Sequence, residues 1–191
     1  MANKGFLLVM MQPPPAFEEE FNAWYDSEHI PERLAVPGFL TGLRYVCVGG
    51  HPRYLAMYDL ESYDVLQSPA YNKVGYGNAS PWTKRVTGRV KVMRYAGYQI
   101  VPGDRITLPS PRLQVLRFSG LAAAHAADLV KAVTTAQDRR AGFKTPRVLV
   151  HEGGELLIVT EFAAEVEPAI AAAHLGSFAA NLDLVNTYAA Y

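Results

Sequence analysis

The order of apolar and polar positions along the chain predicts the same series of strands and helices twice. The first series begins with a continuous apolar run, Gly5–Gln12, which is typical of a strand buried on both faces. In a later alternating strand, Leu43, Tyr45 and Cys47 share one face. This half is predicted to continue as a helix, two alternating strands, a helix, an irregular segment and a strand, over Ala16–Ala35, Phe39–Val48, Arg53–Glu61, Ser62–Tyr76, Gly75–Thr87 and Arg89–Val101.

A proline-rich segment, Pro102–Pro111, separates this half from the second series and is interpreted as a linker. The predicted domains are therefore residues 1–101 and 112–191. The second series is predicted to run strand, helix, strand, strand, helix and strand, over Arg112–Ser119, Leu121–Gln137, Lys144–Glu152, Glu155–Phe162, Val166–Leu184 and Val185–Tyr191.

Each half has the β-α-β-β-α-β order of a ferredoxin-like unit. Such a unit carries its helices on one face of the sheet, so the other apolar face needs a cover. We therefore predict an α+β fold in which tandem ferredoxin-like repeats pack sheet to sheet. The alternative, two independent domains on a linker, would leave both apolar faces exposed.

Composition and charge exclude several classes of function. Half of the 191 residues are hydrophobic and the formal net charge is zero, so nothing indicates a nucleic-acid or membrane partner. The single cysteine, Cys47, excludes an intramolecular disulfide and a cysteine-based zinc cluster. No signal peptide and no membrane-spanning run is recognised. We expect a cytoplasmic protein that binds a small molecule.

The first predicted helix carries the most informative chemistry. Trp24, Tyr25, Glu28 and His29 lie on two adjoining helical stripes just before Pro31. Aromatic surface, a carboxylate and an imidazole within so short a stretch indicate a small-molecule site. His29 is either a general acid or base, or a residue that fixes the turn by bonding a loop carbonyl beyond Pro31.

The aromatic residues are concentrated in the first half, which holds nine of the eleven tyrosines and both tryptophans. An aromatic-lined pocket in that half alone would account for this bias, although core packing is the simpler interpretation for each residue singly. Two strand arginines are candidates to pair an anionic substrate or a glutamate. The predicted substrate-binding residues are Trp24, Arg44, Tyr45, Tyr58, Tyr71, Tyr76, Trp82 and Arg94.

The motif Phe-Asn-Ala-Trp-Tyr-Asp-Ser-Glu-His-Ile-Pro at 21–31, with Val36–Phe39, Ser68–Tyr71 and Ser80–Trp82, resembles the EthD-like branch of the dimeric α+β barrel superfamily. The resemblance covers roughly residues 5–100, and the second half matches by element order alone. It implies an intramolecular dimeric α+β barrel with a ligand cleft between sheet and helices. The superfamily includes cofactor-free monooxygenases, polyketide cyclases, lactone isomerases, decarboxylases and haem enzymes.

The function that this resemblance implies is a cofactor-independent isomerase, cyclase, decarboxylase or monooxygenase acting on an aromatic or polyketide-like substrate. His29, Tyr25 and Glu28 are the predicted catalytic residues. The alternative is a non-catalytic binding or structural protein. No metal site is predicted, and a haem would need His125 or His174, which we interpret as surface residues. The fused pseudo-dimer leaves room for further homo-oligomerisation.

Overall fold

The computed structural model describes residues 3–75, 77–101, 105–137, 144–165, 170 and 172–191. Its strands are β1 Gly5–Gln12, β2 Leu43–Cys47, β3 Tyr54–Leu60, β4 Lys91–Val101, β5 Arg112–Phe118, β6 Arg147–His151, β7 Leu156–Phe162 and β8 Leu182–Ala190. The α-helices are α1 Glu18–Trp24, α2 Ile30–Leu34, α3 Pro69–Val74, α4 Pro81–Thr87 and α5 Ala126–Gln137. Short 3-10 turns lie over Pro15–Phe17, Tyr63–Gln67, Ala123–His125 and Ala172–Asn181.

All eight strands form one closed antiparallel barrel in the order β1-β3-β2-β8-β5-β7-β6-β4. The two halves join edge to edge, through β2 with β8 and β4 with β6. The prediction of two ferredoxin-like sheets packed sheet to sheet is therefore wrong. An antiparallel sheet edge exposes unpaired backbone groups, and closure of the barrel gives the edge strands of both halves a partner.

The strand predictions of the first half are accurate where the apolar pattern is unambiguous. Strand β1 begins and ends where predicted. The prediction that Gly75–Thr87 is irregular is wrong, because α4 occupies the second part of that segment. Ser80 caps α4 by accepting a hydrogen bond from the Thr83 amide, and Pro81 opens the first turn.

The second half departs more from its predicted elements. The helix predicted over Val166–Leu184 falls partly outside the described residues. Its described part forms two 3-10 pieces within Ala172–Asn181, separated by a kink at Gly176, and then the start of β8. Strand β8 begins at Leu182, three residues before the predicted start, and pairs with β5 over its length.

The barrel interior and the helix-covered outside are separate cores. Along β1, alternate side chains enter each: Phe6, Leu8 and Met10 point into the barrel, while the residues between them pack under the first helices. Tyr45 and Cys47 point inward together, which confirms their predicted shared face. Every β1 residue before Gln12 is buried, as expected for a strand with two apolar faces.

One end of the barrel is filled by a buried ionic cluster. Arg147 Nη1 lies 3.1 Å from Asp59 Oδ1, and Arg147 Nη2 lies 3.4 Å from Glu161 Oε1. Asp59 also accepts hydrogen bonds from the Thr107 amide at 2.6 Å and from the Thr41 hydroxyl at 2.8 Å. These bonds satisfy a carboxylate that has no exposed surface, as burial of a charge requires.

Candidate functional site

The helix that carries the Trp-Tyr-x-x-Glu-His motif is continuous from α1 to α2 but widens between them. Tyr25–His29 form a π-helical turn, closed by the Ile30 amide donating to the Tyr25 carbonyl. Pro31 follows, and a proline ring clashes with the carbonyl of the preceding turn in a regular helix. The widened turn accommodates it, and such π-bulges are frequent at functional sites.

The π turn brings His29 onto the aromatic residues before it. The His29 ring lies 4.3 Å from the Trp24 ring and 5.0 Å from the Tyr25 ring, edge on to the latter. His29 is 8% exposed, and its Nδ1 atom has no hydrogen-bond partner among the described residues. The alternative in which His29 bonds a carbonyl beyond Pro31 finds no such bond in this part of the chain.

The charge state of His29 is set by its surroundings. Burial lowers the pKa of His29 to about 3, and the positive charges of Arg33 and Arg44 add to the effect. The imidazole is therefore neutral at physiological pH and accepts a proton or a hydrogen bond. Of the general acid and the general base predicted for His29, a neutral imidazole favours the base.

A cavity of about 50 Å³ lies between the outer face of β1, β3 and β4 and the helices. One side is apolar and the other carries polar and cationic groups, an arrangement typical of ligand sites. Four of the predicted residues meet here: His29, Tyr58, Tyr71 and Arg94. The remaining lining residues are Leu7, Val9, Met11, Arg33, Gly75, Ala79, Thr83, Thr87 and Val92.

Arg33 is a cavity-lining residue that the sequence interpretation missed. Its side chain is buried, Nη1 donates to the Val74 carbonyl at 2.9 Å, and the guanidinium lies 5.3 Å from the Tyr71 ring centre. Arg33 follows His29 by four residues, so both project from one face of the helix. That spacing is visible in the sequence and was the available signal.

Glu28 does not contact His29. Its carboxylate accepts hydrogen bonds from the hydroxyls of Ser80 and Thr83, the latter at 2.9 Å. The same Thr83 hydroxyl oxygen accepts a hydrogen bond from Trp24 Nε1 at 2.9 Å. Glu28 and Trp24 thus fasten the motif helix to the start of α4, so both lie behind the cavity rather than in it.

Tyr25 and Arg44 also lie behind the cavity. The Arg44 guanidinium lies 4.6 Å from the Tyr25 ring centre, is paired with Asp26 and donates to Asn22 Oδ1 at 2.6 Å. Burial, followed by the neighbouring Tyr25, raises the pKa of the Tyr58 phenol well above its usual value. Tyr58 is therefore a neutral phenol in the cavity wall.

Of the predicted binding residues outside this cavity, Arg44 and Tyr45 both line a second pocket of the surface. Tyr45 faces the barrel interior, where burial and the charge of Glu161 raise its pKa to about 12. Trp82 packs at the edge of the helix-covered core and does not line the cavity. Tyr76 lies outside the described residues. Arg94 reaches across to the second half, with Nη1 3.4 Å from Glu152 Oε1.

In the described part of the second half, the long helix is packed against the barrel. Leu129 and Val133 of α5 pack directly on Leu116, Phe118 and Ile158 of the barrel. His125 and His174 are both exposed, and His125 Nδ1 is hydrogen-bonded to the Ala122 backbone. These residues do not fit a haem, which needs a large pocket with an inward-facing axial ligand.

The described residues contain no group of three or more His, Cys, Asp or Glu side chains arranged to hold a metal ion. The helices described here are all too short or too polar to cross a bilayer.

No protein-family model matches the chain, and no curated protein matches it in sequence. Several solved structures match it in fold. An anthrone oxidase-like protein is 12% identical, with a TM-score of 0.67 over 100% of this chain and 92% of its own. A proposed monooxygenase from Lactobacillus acidophilus NCFM is 10% identical, with a TM-score of 0.59 over 99% of this chain and 93% of its own.

A proposed chlorite dismutase is 10% identical, with a TM-score of 0.61 over 100% of this chain and 96% of its own. These three proteins belong to the dimeric α+β barrel superfamily. At such low identity the likeness establishes the fold of this chain and leaves its reaction to the chemistry of the site.

Proposed function

We propose that this protein is a cofactor-independent enzyme that removes a proton from a small aromatic or polyketide-like substrate held against His29. The observation that carries the proposal is the buried Nδ1 atom of His29, which lacks a partner among the described residues and belongs to a cavity-lining residue. A buried nitrogen that forgoes a hydrogen bond costs free energy, and a ligand that supplied a proton would recover it.

The reaction we favour is oxygenation of an activated methylene group by dioxygen. His29 takes a proton from the carbon, and the electron pair delocalises into the aromatic system. The electron-rich carbanion then reduces dioxygen: one oxygen atom becomes the new carbonyl, and the other leaves as water with both methylene hydrogens. The overall change converts a methylene compound and dioxygen into a ketone and water, and it balances without another reductant. The fold neighbour described as anthrone oxidase-like supports this choice.

The free-protein pKa of His29, about 3, limits how the base can act. Proton transfer to His29 is favourable only when the resulting anion stays beside the imidazolium and compensates it. The neutral form, however, is present throughout the physiological range, so no fraction of the protein is inactivated by protonation. Tyr58 and Tyr71 contribute two aromatic rings to the cavity wall, against which the aromatic substrate packs.

The small volume of the cavity is the observation that favours the second candidate function, a non-catalytic binding or structural protein. The cavity has about 50 Å³, less than an engineered cavity of about 150 Å³ that holds benzene. Substrate entry therefore requires side chains at the mouth to move. Arg94 is partly exposed and is the residue that we propose to turn outward.

The test is oxygen uptake with a panel of anthrones and hydroxynaphthoquinones in the presence of a metal chelator. We expect turnover by the native protein and its loss in His29→Gln, which keeps a polar side chain but cannot take the proton. His125→Gln removes an exposed histidine far from the cavity and is the matched control. Absence of turnover across the panel, or a His29→Gln rate equal to the native rate, would refute the enzyme proposal in favour of binding.

Further proposals concern the whole chain. The motif at 21–31 supports membership of the EthD-like branch. The strand orders β4-β1-β3-β2 and β8-β5-β7-β6 correspond position by position, which supports an internal duplication with units at 1–101 and 112–191 and a linker at 102–111. A cytoplasmic location and assembly into homo-oligomers stay predictions of the sequence.

A further inference from the structure

Arg33 is a buried cation in the cavity wall whose contacts are neutral. Its side chain is 6% exposed, and its contacts are the Val74 carbonyl at 2.9 Å and the Tyr71 ring at 5.3 Å. A buried charge normally acquires an opposite charge, because removal from water is otherwise costly. The folded protein therefore holds a positive charge beside the cavity that a ligand can neutralise.

The carboxylates near this end of the motif helix do not supply that neutralisation. Among the described residues, Arg33 takes part in no ion pair. Glu32, its chain neighbour, is partly exposed, and its pKa is raised by burial and by Glu28, with Arg33 opposing the rise. Glu28 is occupied by the hydroxyls of Ser80 and Thr83. The other arginine of the cavity, Arg94, has a partner in Glu152.

We propose that the cavity binds its aromatic ligand as an oxyanion, with the anionic oxygen on the Arg33 guanidinium and the ring against Tyr58 and Tyr71. This inference rests on the proposed function and names its substrate class: a ring system that bears an enolisable carbonyl or a hydroxyl group. When the substrate C–H bond breaks, its proton moves to His29 Nδ1 and the electron pair delocalises onto the ring oxygen. Arg33 then neutralises the oxygen through charge-assisted hydrogen bonds.

In this arrangement, the charge of Arg33 affects the protonation of His29. Arg33 disfavours a positive charge on His29 in the free protein, since both groups are buried in one cavity. Once the oxyanion has formed between them, it faces a cation on each side. Arg33 is thus a specificity-determining residue that selects ligands able to carry a negative oxygen, and rejects aromatic hydrocarbons of the same shape.

The experiment uses 4-nitrophenol as the probe, because only its ionised form absorbs in the visible region. The full-length protein is titrated into 4-nitrophenol below the pKa of the free phenol, where the solution is almost colourless. We expect the visible band to appear on binding, as the hydroxyl proton passes to the buffer. Arg33→Gln should weaken binding of the coloured form by about tenfold or more, whereas Arg33→Lys, which keeps the charge, should lose only about threefold.

Arg94→Gln is the matched control, because it removes the cavity arginine that already has a carboxylate partner. It should affect the band less than Arg33→Gln does. Thermal unfolding of each variant verifies the fold, and Arg33→Lys keeps the test valid if Arg33→Gln is unstable. Binding without the visible band, equal effects of the two glutamine variants, or no binding of the probe would each overturn the oxyanion inference. Oxygen uptake by the native protein in any of these cases would leave the proposed reaction standing.

Discussion

Because His29 is buried and neutral, the free energy of unfolding depends on pH. The substitution His29→Gln isolates this dependence. Unfolding releases the imidazole into water, where its pKa is 6.5, whereas in the folded protein it is about 3. Between these values the unfolded chain binds a proton that the folded protein does not bind. The free energy of unfolding therefore rises with pH across this window, reaches its full value above pH 6.5, and falls as the pH is lowered.

The size of the effect follows from the two pKa values. Their difference, about 3.5, corresponds to about 5 kcal/mol when the whole window is crossed. Between pH 7.5 and pH 5 the linkage relation gives a loss of about 2 kcal/mol from His29 alone. Below about pH 6 the slope approaches about 1.4 kcal/mol per pH unit.

The assay is urea unfolding of the native protein and of His29→Gln, at about pH 7.5, 6.5, 5.5 and 5. Unfolding is monitored by tryptophan fluorescence and fitted to a two-state transition. Other titrating groups are common to both proteins, so the difference between the two free energies reports His29. Between pH 7.5 and pH 5, we expect the free energy of unfolding of the native protein to fall by about 2 kcal/mol more than that of His29→Gln. His125→Gln controls for the removal of a histidine as such.

Parallel free-energy curves for the native protein and His29→Gln would refute the reasoning. They would mean that the imidazole is solvated in the folded protein and can take a proton there. In that case the cavity would be open to water, and the argument for a buried base without a partner would lose its physical basis.

Other substitutions separate the residues behind the cavity from those in it. Trp24→Ala should lower the free energy of unfolding by about 3–5 kcal/mol in urea titrations, because a fully buried indole is lost; unchanged stability with lost ligand binding would assign Trp24 to the pocket instead. Glu28→Gln should cost about 1–2 kcal/mol and leave turnover intact, and a loss of turnover at constant melting temperature would contradict its fastening role. Asp59→Ala should cost about 3–5 kcal/mol because it leaves the buried Arg147 with only the longer Glu161 pair, and a loss below about 1 kcal/mol would show that water reaches that cluster.

The sequence determined the elements whose periodicity is strong. The apolar run of β1 has no polar face, so only a strand covered on both sides accommodates it. The helix spacing placed His29 beside Tyr25 before Pro31, because residues four apart are neighbours on a helix. The contact of His29 with Trp24, five residues earlier, depends on the π turn, which the sequence pattern did not predict. Local geometry was sufficient for these predictions because every interaction involved lies within a few residues along the chain.

Tertiary structure alone decided which strand face meets which core. Tyr45 and Tyr58 both sit in alternating apolar strands, yet Tyr45 enters the barrel and Tyr58 lines the cavity. Both strand faces are apolar, so the pattern cannot distinguish an interior from a helix-covered exterior. The closed barrel was missed for a related reason: the pairing of β2 with β8 and of β4 with β6 uses backbone groups that every residue type provides.

The partners of the charged residues were also fixed only by the fold. Glu28 meets Thr83 across 55 residues of chain, and Arg147 meets Asp59 across 88. No spacing rule connects positions so far apart, because their proximity depends on how the whole barrel closes. Arg33 depends on both sources. Its helical spacing from His29 was visible in the sequence. Only the folded structure showed that, among the described residues, no carboxylate pairs with it.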